Sequence, residues 1–344
     1  MAAQIVTTTQ RIGVIGVGRI GHMHAELLAG QVPGAALGAV YDPVGERADA
    51  TASQLGVRAV ASVEDLLASD IDAVAICSPT DTHLEYILAA AEAGKGIFCE
   101  KPVSLDLAEV DSALAAVEST GVPFQVGFNR RFDPAHASVA AAVADGTVGE
   151  PHLVRITSRD PEPPPMEYVR HSGGLFCDMT IHDFDMARFV TGSEVVEVFA
   201  RGAIRIDPLL ADVGDIDTAV ITLVHANRCL TTIDNSRQAV YGYDQRVEVF
   251  GSAGTAASDN ALEHSGSVRT CVGALSAPLP YFFIERYTQS YVREWQAFVA
   301  SLTTGAPPPV NGRDARAPLV IGLAALRSLR EDRPVQIEEV ESRV

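Results

Sequence analysis

RIGVIGVGRIG, Arg11–Gly21, decides the fold of this 344-residue chain. Arg11–Ile15 is a short apolar run and reads as a buried strand. Gly16-Val17-Gly18-Arg19-Ile20-Gly21 follows at once and opens a helix that the pattern carries to about Ala29. This is G-x-G-x-x-G in the strand–turn–helix setting that gives the motif its meaning. Gly16 permits the tight turn, Gly18 lets the backbone approach a pyrophosphate, and Gly21 lets the helix close on the strand. Amides at the helix start then face the phosphates. A second apolar run, Ala36–Tyr41, ends in Asp42, near the spacing at which an acid binds the hydroxyls of an adenosine ribose.

Outward from there the chain alternates. Helices are expected over Arg47–Leu55, Ser62–Ala68, Asp81–Ala93 and Leu107–Ser119, and strands over Ala73–Ile76, Gly96–Cys99 and Phe124–Val126. Such alternation predicts an α/β Rossmann domain with a doubly wound parallel sheet over residues 1–126. Ligands of these sheets lie outside the carboxyl ends of the strands. Ser78-Pro79-Thr80, with His83 one turn on, and Glu100-Lys101-Pro102 are therefore expected near the dinucleotide, Lys101 towards its nicotinamide.

After Gly127 the rhythm changes. One helix is expected at Ala135–Asp145, then β-type runs at His152–Ser158, Val195–Ile204, Thr218–Val224, Leu230–Asn235 and Arg246–Phe250. Consecutive strands joined by turns imply a large, open, mainly antiparallel sheet, so residues 127–344 read as a second, α+β domain. Pro161–Pro165 cannot join a ladder and reads as a stiff loop. Tyr291, Trp295, Phe298 and Leu302 form an apolar stripe at helical spacing, best read as core. A last helix is expected near Ala315–Leu329.

Ser172–Gly192, SGGLFCDMTIHDFDMARFVTG, holds the densest chemistry. Gly173 and Gly174 loosen a loop that runs into a helix starting at Asp178 and stopping at Gly192. Asp178, His182 and Asp185 fall at i, i+4 and i+7 and share one face, while Ile181 and Phe184 are available to the core. The alternative for Asp178 and His182 is a solvated face, or a cap beside a satisfied histidine.

The net charge of −18 and a sequence pI near 4.8 argue against a nucleic-acid partner. Cys77, Cys99, Cys177, Cys229 and Cys271 show no paired spacing and read as buried free thiols of a reducing cytoplasm. No Cys/His cluster has zinc spacing, so no metal is expected. MAAQIVTTTQ lacks the basic and apolar regions of a secretory signal. No apolar run reaches the length of a membrane span.

The combined pattern resembles the glucose–fructose oxidoreductase/inositol dehydrogenase (Gfo/Idh/MocA) family over nearly the whole chain. The resemblance is carried by the glycine fingerprint, SPTDTH at Ser78–His83, EKP at Glu100–Pro102, GFNRRFDP at Gly127–Pro134 and GGLFCDMTIHDFD at Gly173–Asp185. SRDPEPPP at Ser158–Pro165 and YGYDQR at Tyr241–Arg246 are similar to the inositol 2-dehydrogenase branch. The resemblance implies NAD as cofactor and a cyclic polyol or sugar as substrate, myo-inositol oxidised at its axial hydroxyl before others. It also implies a homotetramer built through the open sheet. By motif, Lys101, Asp178 and His182 are the implied catalytic set, and Arg130, Asp160 and Tyr241 fall near the polyol, with Tyr243 competing for the last place.

The chemistry fits these residue types independently. Oxidising a secondary alcohol removes a hydroxyl proton while hydride leaves the carbon. His182 can take that proton as general base, Asp178 can orient the imidazole, and Lys101 can stabilise developing alkoxide charge. Two other classes stay open: an NAD-dependent glycosidase working through transient oxidation, and a dinucleotide-binding regulator without catalysis.

Overall fold

A computed structural model describes residues 9–341, which form two compact units: up to Asn129 together with Tyr291–Ala317, and Arg130–Ser290 together with the chain from Pro318 onward. Residues 1–8, most of the stretch that lacks secretory-signal character, lie outside the described residues.

The first unit is built as its alternation predicts. It contains β1 (Gln10–Ile15), α1 (Arg19–Gly30), β2 (Ala35–Tyr41), α2 (Gly45–Leu55), β3 (Arg58–Ala59), α3 (Val63–Leu67), β4 (Ala73–Ile76), α4 (His83–Glu92), β5 (Gly96–Glu100), α5 (Leu107–Thr120) and β6 (Phe124–Gly127). The six strands pair in parallel in the order β3-β2-β1-β4-β5-β6. β1 and β4 meet at the centre, where the order reverses; a ligand crevice opens at such a switch point. The central strands are apolar on both faces because helices cover both: Val14, Ala75, Ile76, Ile97 and Cys99 are fully buried.

The boundary lies at Asn129/Arg130 rather than 126/127, and Tyr291–Ala317 returns to the first unit. The aromatic stripe is the reason. Trp295 is completely buried and stacks on Phe98 of β5 with ring centroids 4.4 Å apart, and Phe298 meets both rings edge-on. Burying these rings stabilises the unit by on the order of 2–3 kcal/mol each. The stripe is core, as its spacing suggests.

The second unit carries a seven-stranded sheet in the order β12-β11-β7-β10-β9-β8-β15. Before β7 (Pro151–Arg159) runs α6 (Pro134–Ala144); after it come three short helical pieces, α7 (Met166–Val169), α8 (Gly174–Asp178) and α9 (Ile181–Thr191). Then follow β8 (Val195–Ala203), β9 (Thr218–His225), β10 (Leu230–Ser236), β11 (Asp244–Gly251), β12 (Thr255–Ser258), a hairpin of β13 (Ser267–Thr270) and β14 (Gly273–Ser276), β15 (Val335–Gln336) and α12 (Glu338–Glu341), while α10 (Phe283–Thr304) and α11 (Gly312–Glu331) divide between the units, the first taking Tyr291–Ala317. The sheet is mixed: β7 and β10 pair in parallel, the other neighbours antiparallel. α9 packs one face through Ile181, Phe184, Ala187 and Val190, with Val198, Ile221, Leu223 and Ile233 beneath. The β13–β14 hairpin has no counterpart in the sequence reading, and it places Cys271 on the surface, whereas the other four cysteines are buried free thiols.

One helix expected from Asp178 to Gly192 is two. α8 ends at Asp178, Met179 and Thr180 break the run, and α9 begins at Ile181. Gly173 and Gly174, both in the left-handed region, shape the entry, and Gly192 closes α9 with φ 58°. An added Cβ at Gly174 would stand 2.8 Å from Oδ1 of Asp215, which accepts the Leu175 N–H at 3.0 Å. That close approach requires glycine. At the break the Thr180 N–H donates to the Leu175 carbonyl, five residues back, at 3.0 Å, and the fully buried Thr180 hydroxyl donates to Asn235 at 2.6 Å.

Candidate active site

In the first unit the predicted cofactor residues lie at one edge of the sheet, where β1, β2, β4 and β5 end. Gly16 has φ 83°, and a Cβ there would lie 2.8 Å from the Ser78 backbone, so the turn after β1 fits only glycine. A Cβ on Gly21 would meet the Gly16 carbonyl oxygen at 1.8 Å. Gly18 is the opposite case: nothing stands within 4 Å of its virtual Cβ, and as N-cap of α1 it brings no side chain to the helix start. The loop is therefore open where a pyrophosphate would meet the first amides of α1. Arg19 is exposed beside it and Ile20 half-buried.

Asp42 directly follows β2, buried, with Oδ2 accepting the Val17 N–H and Oδ1 the Val44 N–H, both at 2.9 Å. Nη1 of Arg47 lies 3.4 Å from each carboxylate oxygen. The acid thus joins the glycine turn to the turn after β2, at the spacing expected of a ribose ligand. Ser78, Pro79 and Thr80 form the turn after β4, with Ser78 Oγ accepting from Thr82 at 2.6 Å. These residues fit a dinucleotide.

Two predicted cofactor residues have other work. His83 is buried, with Nδ1 2.8 Å from the Pro102 carbonyl and Nε2 2.9 Å from that of Ser78. Its ring ties the turn after β4 to the turn after β5, and burial holds its pKa below the usual value. The Glu100 carboxylate turns inward to His24 Nε2, 2.9 Å away, and to the Lys101 N–H at 3.2 Å. Lys101 itself, half-buried, follows the carboxyl end of β5 with a cis bond to Pro102.

In the second unit a polar cluster is built over α9, β7 and β10. Arg130, buried, donates Nη1 to Asp183 Oδ1 at 2.7 Å and to Ser158 Oγ at 3.3 Å, and Nη2 to the Tyr243 hydroxyl at 3.3 Å. Asp183 accepts a second bond from Asn235 Nδ2 at 2.8 Å, and Ser158 donates to Gln245 at 2.9 Å. Burial works against the guanidinium charge, but Tyr243, Tyr287, Asp183 and Asp160 around it hold its pKa above the ordinary value. Asp160 stands at the end of β7; burial pushes it up to about 6 against the pull of Arg237, with Asp178 adding to the rise.

Asp178 is held from two sides: Tyr168 donates its hydroxyl to Oδ1 at 2.8 Å, and Arg237 Nη2 donates to Oδ2 at 3.1 Å. His182 follows in the first turn of α9, half-buried. Asp185 departs from the one-face reading: it is buried and bound by Arg131, with Nε at 2.8 Å. Tyr241 also departs from expectation. It is 52% exposed, and its hydroxyl donates to Asp244 at 2.7 Å and accepts from Arg159 at 2.9 Å, whereas Tyr243 is the buried tyrosine at Arg130.

Asp183, Asn235 and Arg237 are absent from the sequence-based site. For Asn235 and Arg237 a signal is present: Thr231, Ile233 and Asn235 of β10, and Arg237 directly after it, alternate onto the buried side. Polar side chains at core-facing positions of a strand are costly without partners.

A Rossmann unit whose turns fit a dinucleotide, followed by a unit with a buried polar cluster, belongs to an NAD-dependent oxidoreductase acting on CH–OH groups. Residues 10–128 match the oxidoreductase family with an NAD-binding Rossmann fold, and residues 136–257 match the GFO/IDH/MocA C-terminal domain. The chain belongs to this GFO/IDH/MocA oxidoreductase family. It is 48% identical to the myo-inositol 2-dehydrogenase of Thermotoga maritima over 96% of this chain and 99% of that one. It is 46% identical to the inositol 2-dehydrogenase of Rhizobium meliloti, with the same coverage. Among solved structures, scyllo-inositol dehydrogenase from Lactobacillus casei with bound NAD(H) and scyllo-inositol superposes with a TM-score of 0.90 at 31% identity, covering 96% of this chain and 99% of that one.

No helix among the described residues is long and apolar enough to cross a membrane. Among the same residues no group of His, Cys, Asp and Glu side chains is placed to hold a metal ion.

Proposed function

We propose that the protein oxidises a secondary hydroxyl of an inositol, myo-inositol at its axial position, to the ketone. The observation that carries this reading is the buried network Arg130–Asp183–Asn235 with Asp160 and Asp178 beside it. It offers fixed donors and acceptors suited to a ring of hydroxyls. A polar site of this kind suits a hydroxylated ring better than an apolar analogue. Identity with inositol dehydrogenases over nearly the full chain supports the same substrate class.

NAD, held by the glycine turn and the Asp42 corner, would supply the hydride acceptor. The chain's own residues handle the proton and the charge: His182 takes the hydroxyl proton, Asp178 orients the imidazole and favours its cationic form, and Lys101 stabilises the alkoxide. Arg130, Asp160 and Tyr243 read the remaining hydroxyls, Tyr243 in the place first given to Tyr241.

The protein is read as a cytoplasmic homotetramer of inositol catabolism. The open face of the second unit's sheet supports the assembly. Phe250, Leu153, Leu230 and Val224 lie in register across β11, β7, β10 and β9, and Phe250 and Leu230 are about half exposed. An apolar row of this kind marks an interaction surface, and light scattering on the purified protein tests it.

The functional test is kcat/KM with NAD across myo-inositol, scyllo-inositol, D-chiro-inositol, glucose and cyclohexanol, read as NADH absorbance. Myo-inositol is expected to be best and cyclohexanol very poor. Preference for scyllo-inositol, which has no axial hydroxyl, would overturn the choice of isomer. A glycoside cleaved without net NADH formation would replace the dehydrogenase by the glycosidase reading.

A further inference from the structure

We propose that Arg237 is a positioning residue for the reaction: its guanidinium, together with the Tyr168 hydroxyl, locks the Asp178 carboxylate in a single pose. This rests on the reading of Asp178 and His182 as the catalytic pair.

Arg237 follows β10 at the end of its buried alternation, and its side chain is 2% exposed. A buried guanidinium is costly unless it is paired. Its partner is Asp178, at 3.1 Å, and the carboxylates of Asp160 and Asp215 add to the field that keeps the arginine charged against burial. Its Nε is buried with no hydrogen-bond partner in the protein, so the side chain is not fully satisfied by the fold. The backbone at this position is secured separately, since the Arg237 N–H donates to the Asp217 carbonyl at 2.9 Å. The loop therefore does not need the guanidinium to hold its course. Where the fold alone decided, an apolar side chain of similar volume would fill the position as well or better.

What the guanidinium does instead is seen at Asp178. Arg237 takes Oδ2 and Tyr168 takes Oδ1. With both oxygens held, the carboxylate is fixed about its terminal torsion, which is otherwise broad. Asp178 closes α8 where the helix breaks, so its own backbone leaves it freedom that a side chain inside a continuous helix would lack. A carboxylate that orients an imidazole must stay in one geometry, and a misplacement of about 1 Å is enough to slow such chemistry. Sequence position gives no hint of this link, because 59 residues separate Asp178 from Arg237.

The test is a double-mutant cycle on the full-length protein with NAD and myo-inositol. Arg237→Gln, Arg237→Lys and Tyr168→Phe are made in the native protein and in an Asp178→Asn background, and kcat, the KM for NAD and the melting temperature are measured. Arg237→Gln is expected to lower kcat about 10- to 100-fold with the KM for NAD within about twofold, and Arg237→Lys to recover part of the loss. In the Asp178→Asn background the Arg237→Gln change is expected to add less than about threefold, because the residue it positions is gone. Tyr168→Phe, at a half-exposed side chain, is expected to lower kcat a few-fold without a change in melting temperature, and it carries the test if Arg237→Gln does not fold. Full additivity in the cycle, or a Tyr168→Phe variant with native kcat, overturns the proposal while leaving the catalytic pair standing. Native kcat in Asp178→Asn overturns both.

Discussion

Nε2 of His24 lies 2.9 Å from Oε1 of Glu100, and Nδ1 of the same ring accepts the indole N–H of Trp295 at 2.9 Å. An indole N–H can only donate, so the tautomer is set: Nδ1 accepts and Nε2 carries the proton toward Glu100. The second oxygen of Glu100 receives the Lys101 N–H. One buried imidazole thus ties the helix after the glycine loop to the strand end that carries Lys101. His24→Phe would leave the Trp295 donor and the Glu100 carboxylate short of a partner in a closed core. It is expected to cost about 2–4 kcal/mol, read as a lower midpoint in urea denaturation at unchanged m-value.

Gly18 and Gly21 belong to one motif yet are constrained differently. A methyl at Gly21 collides with the Gly16 carbonyl, whereas one at Gly18 enters open space at an allowed φ of −64°. Gly18→Ala should therefore fold and melt as the native protein does but bind NAD more weakly, about tenfold or more, or ~1.4 kcal/mol. Gly21→Ala should lose stability first, by about 1–3 kcal/mol or more as an overpacked contact. Calorimetric titration with NAD beside thermal melts separates the two; equal NAD affinity in Gly18→Ala would show that the phosphates lie elsewhere.

The first unit is legible because each of its parts is a local signal. Glycines at fixed spacing, an acid after the second strand, and apolar runs of strand length are all read within a few residues. The second unit is less so because its site is made by pairing across the sequence. Arg130 meets Asp183 and Tyr243, and Asn235 meets Thr180 and Asp183, at separations of 52 to 113 residues. Helical periodicity puts Asp178, His182 and Asp185 on one face, but the helix breaks at Met179 and Thr180, and Asp185 is claimed by Arg131. His83 and Glu100 lie near strand ends, as spacing implies, but their burial and their hydrogen bonds within the protein are invisible to spacing.

Asp42 bears on cofactor choice. Its carboxylate would repel a 2′-phosphate, and like-charge juxtaposition in a recognition site costs on the order of several kcal/mol. Arg47, 3.4 Å from both oxygens, is held by that same acid. Asp42→Ala removes the repulsion and releases the guanidinium together, so the preference for NAD over NADP should narrow by about tenfold or more. Some stability is lost as well, because the Val17 and Val44 N–H groups lose their acceptor. Comparing kcat/KM for the two cofactors decides it, and equal use by the native protein would mean that Asp42 does not face the ribose.

His136 governs part of the acid response. It is buried, with Nδ1 2.7 Å from Ser258 Oγ and Nε2 3.3 Å from the Tyr287 hydroxyl. Burial pushes its pKa down to about 4 from an ordinary 6.5, opposed by Asp133 and assisted by Arg286 and Arg130. In that interval the unfolded chain binds more protons than the folded one, so stability rises with pH up to about 6.5 and is lost as pH falls towards 4. His136→Gln, which can keep a hydrogen bond without titrating, should flatten the dependence of the urea midpoint across this window, and an unchanged slope would assign it to other groups.

The last expectation concerns Lys101 and His182 themselves. If His182 takes the hydroxyl proton, its amide replacement keeps size and polarity but loses the base, and His182→Asn should lower kcat by about two orders of magnitude or more, the usual size of a lost general base. On the proposed role of Lys101 in stabilising the alkoxide, Lys101→Ala should lower kcat by about 100-fold or more, on the scale of a lost oxyanion donor. Neither residue belongs to the glycine turn or to the Asp42 corner, the parts of the first unit that fit the rest of a dinucleotide. NAD affinity should therefore change far less than kcat, which separates a chemical role from a binding one. Stopped-flow NADH formation at saturating NAD and inositol, with fluorescence titration of NAD alone, measures both quantities. A variant of either residue that turns over at near-native rate would remove that residue from the mechanism.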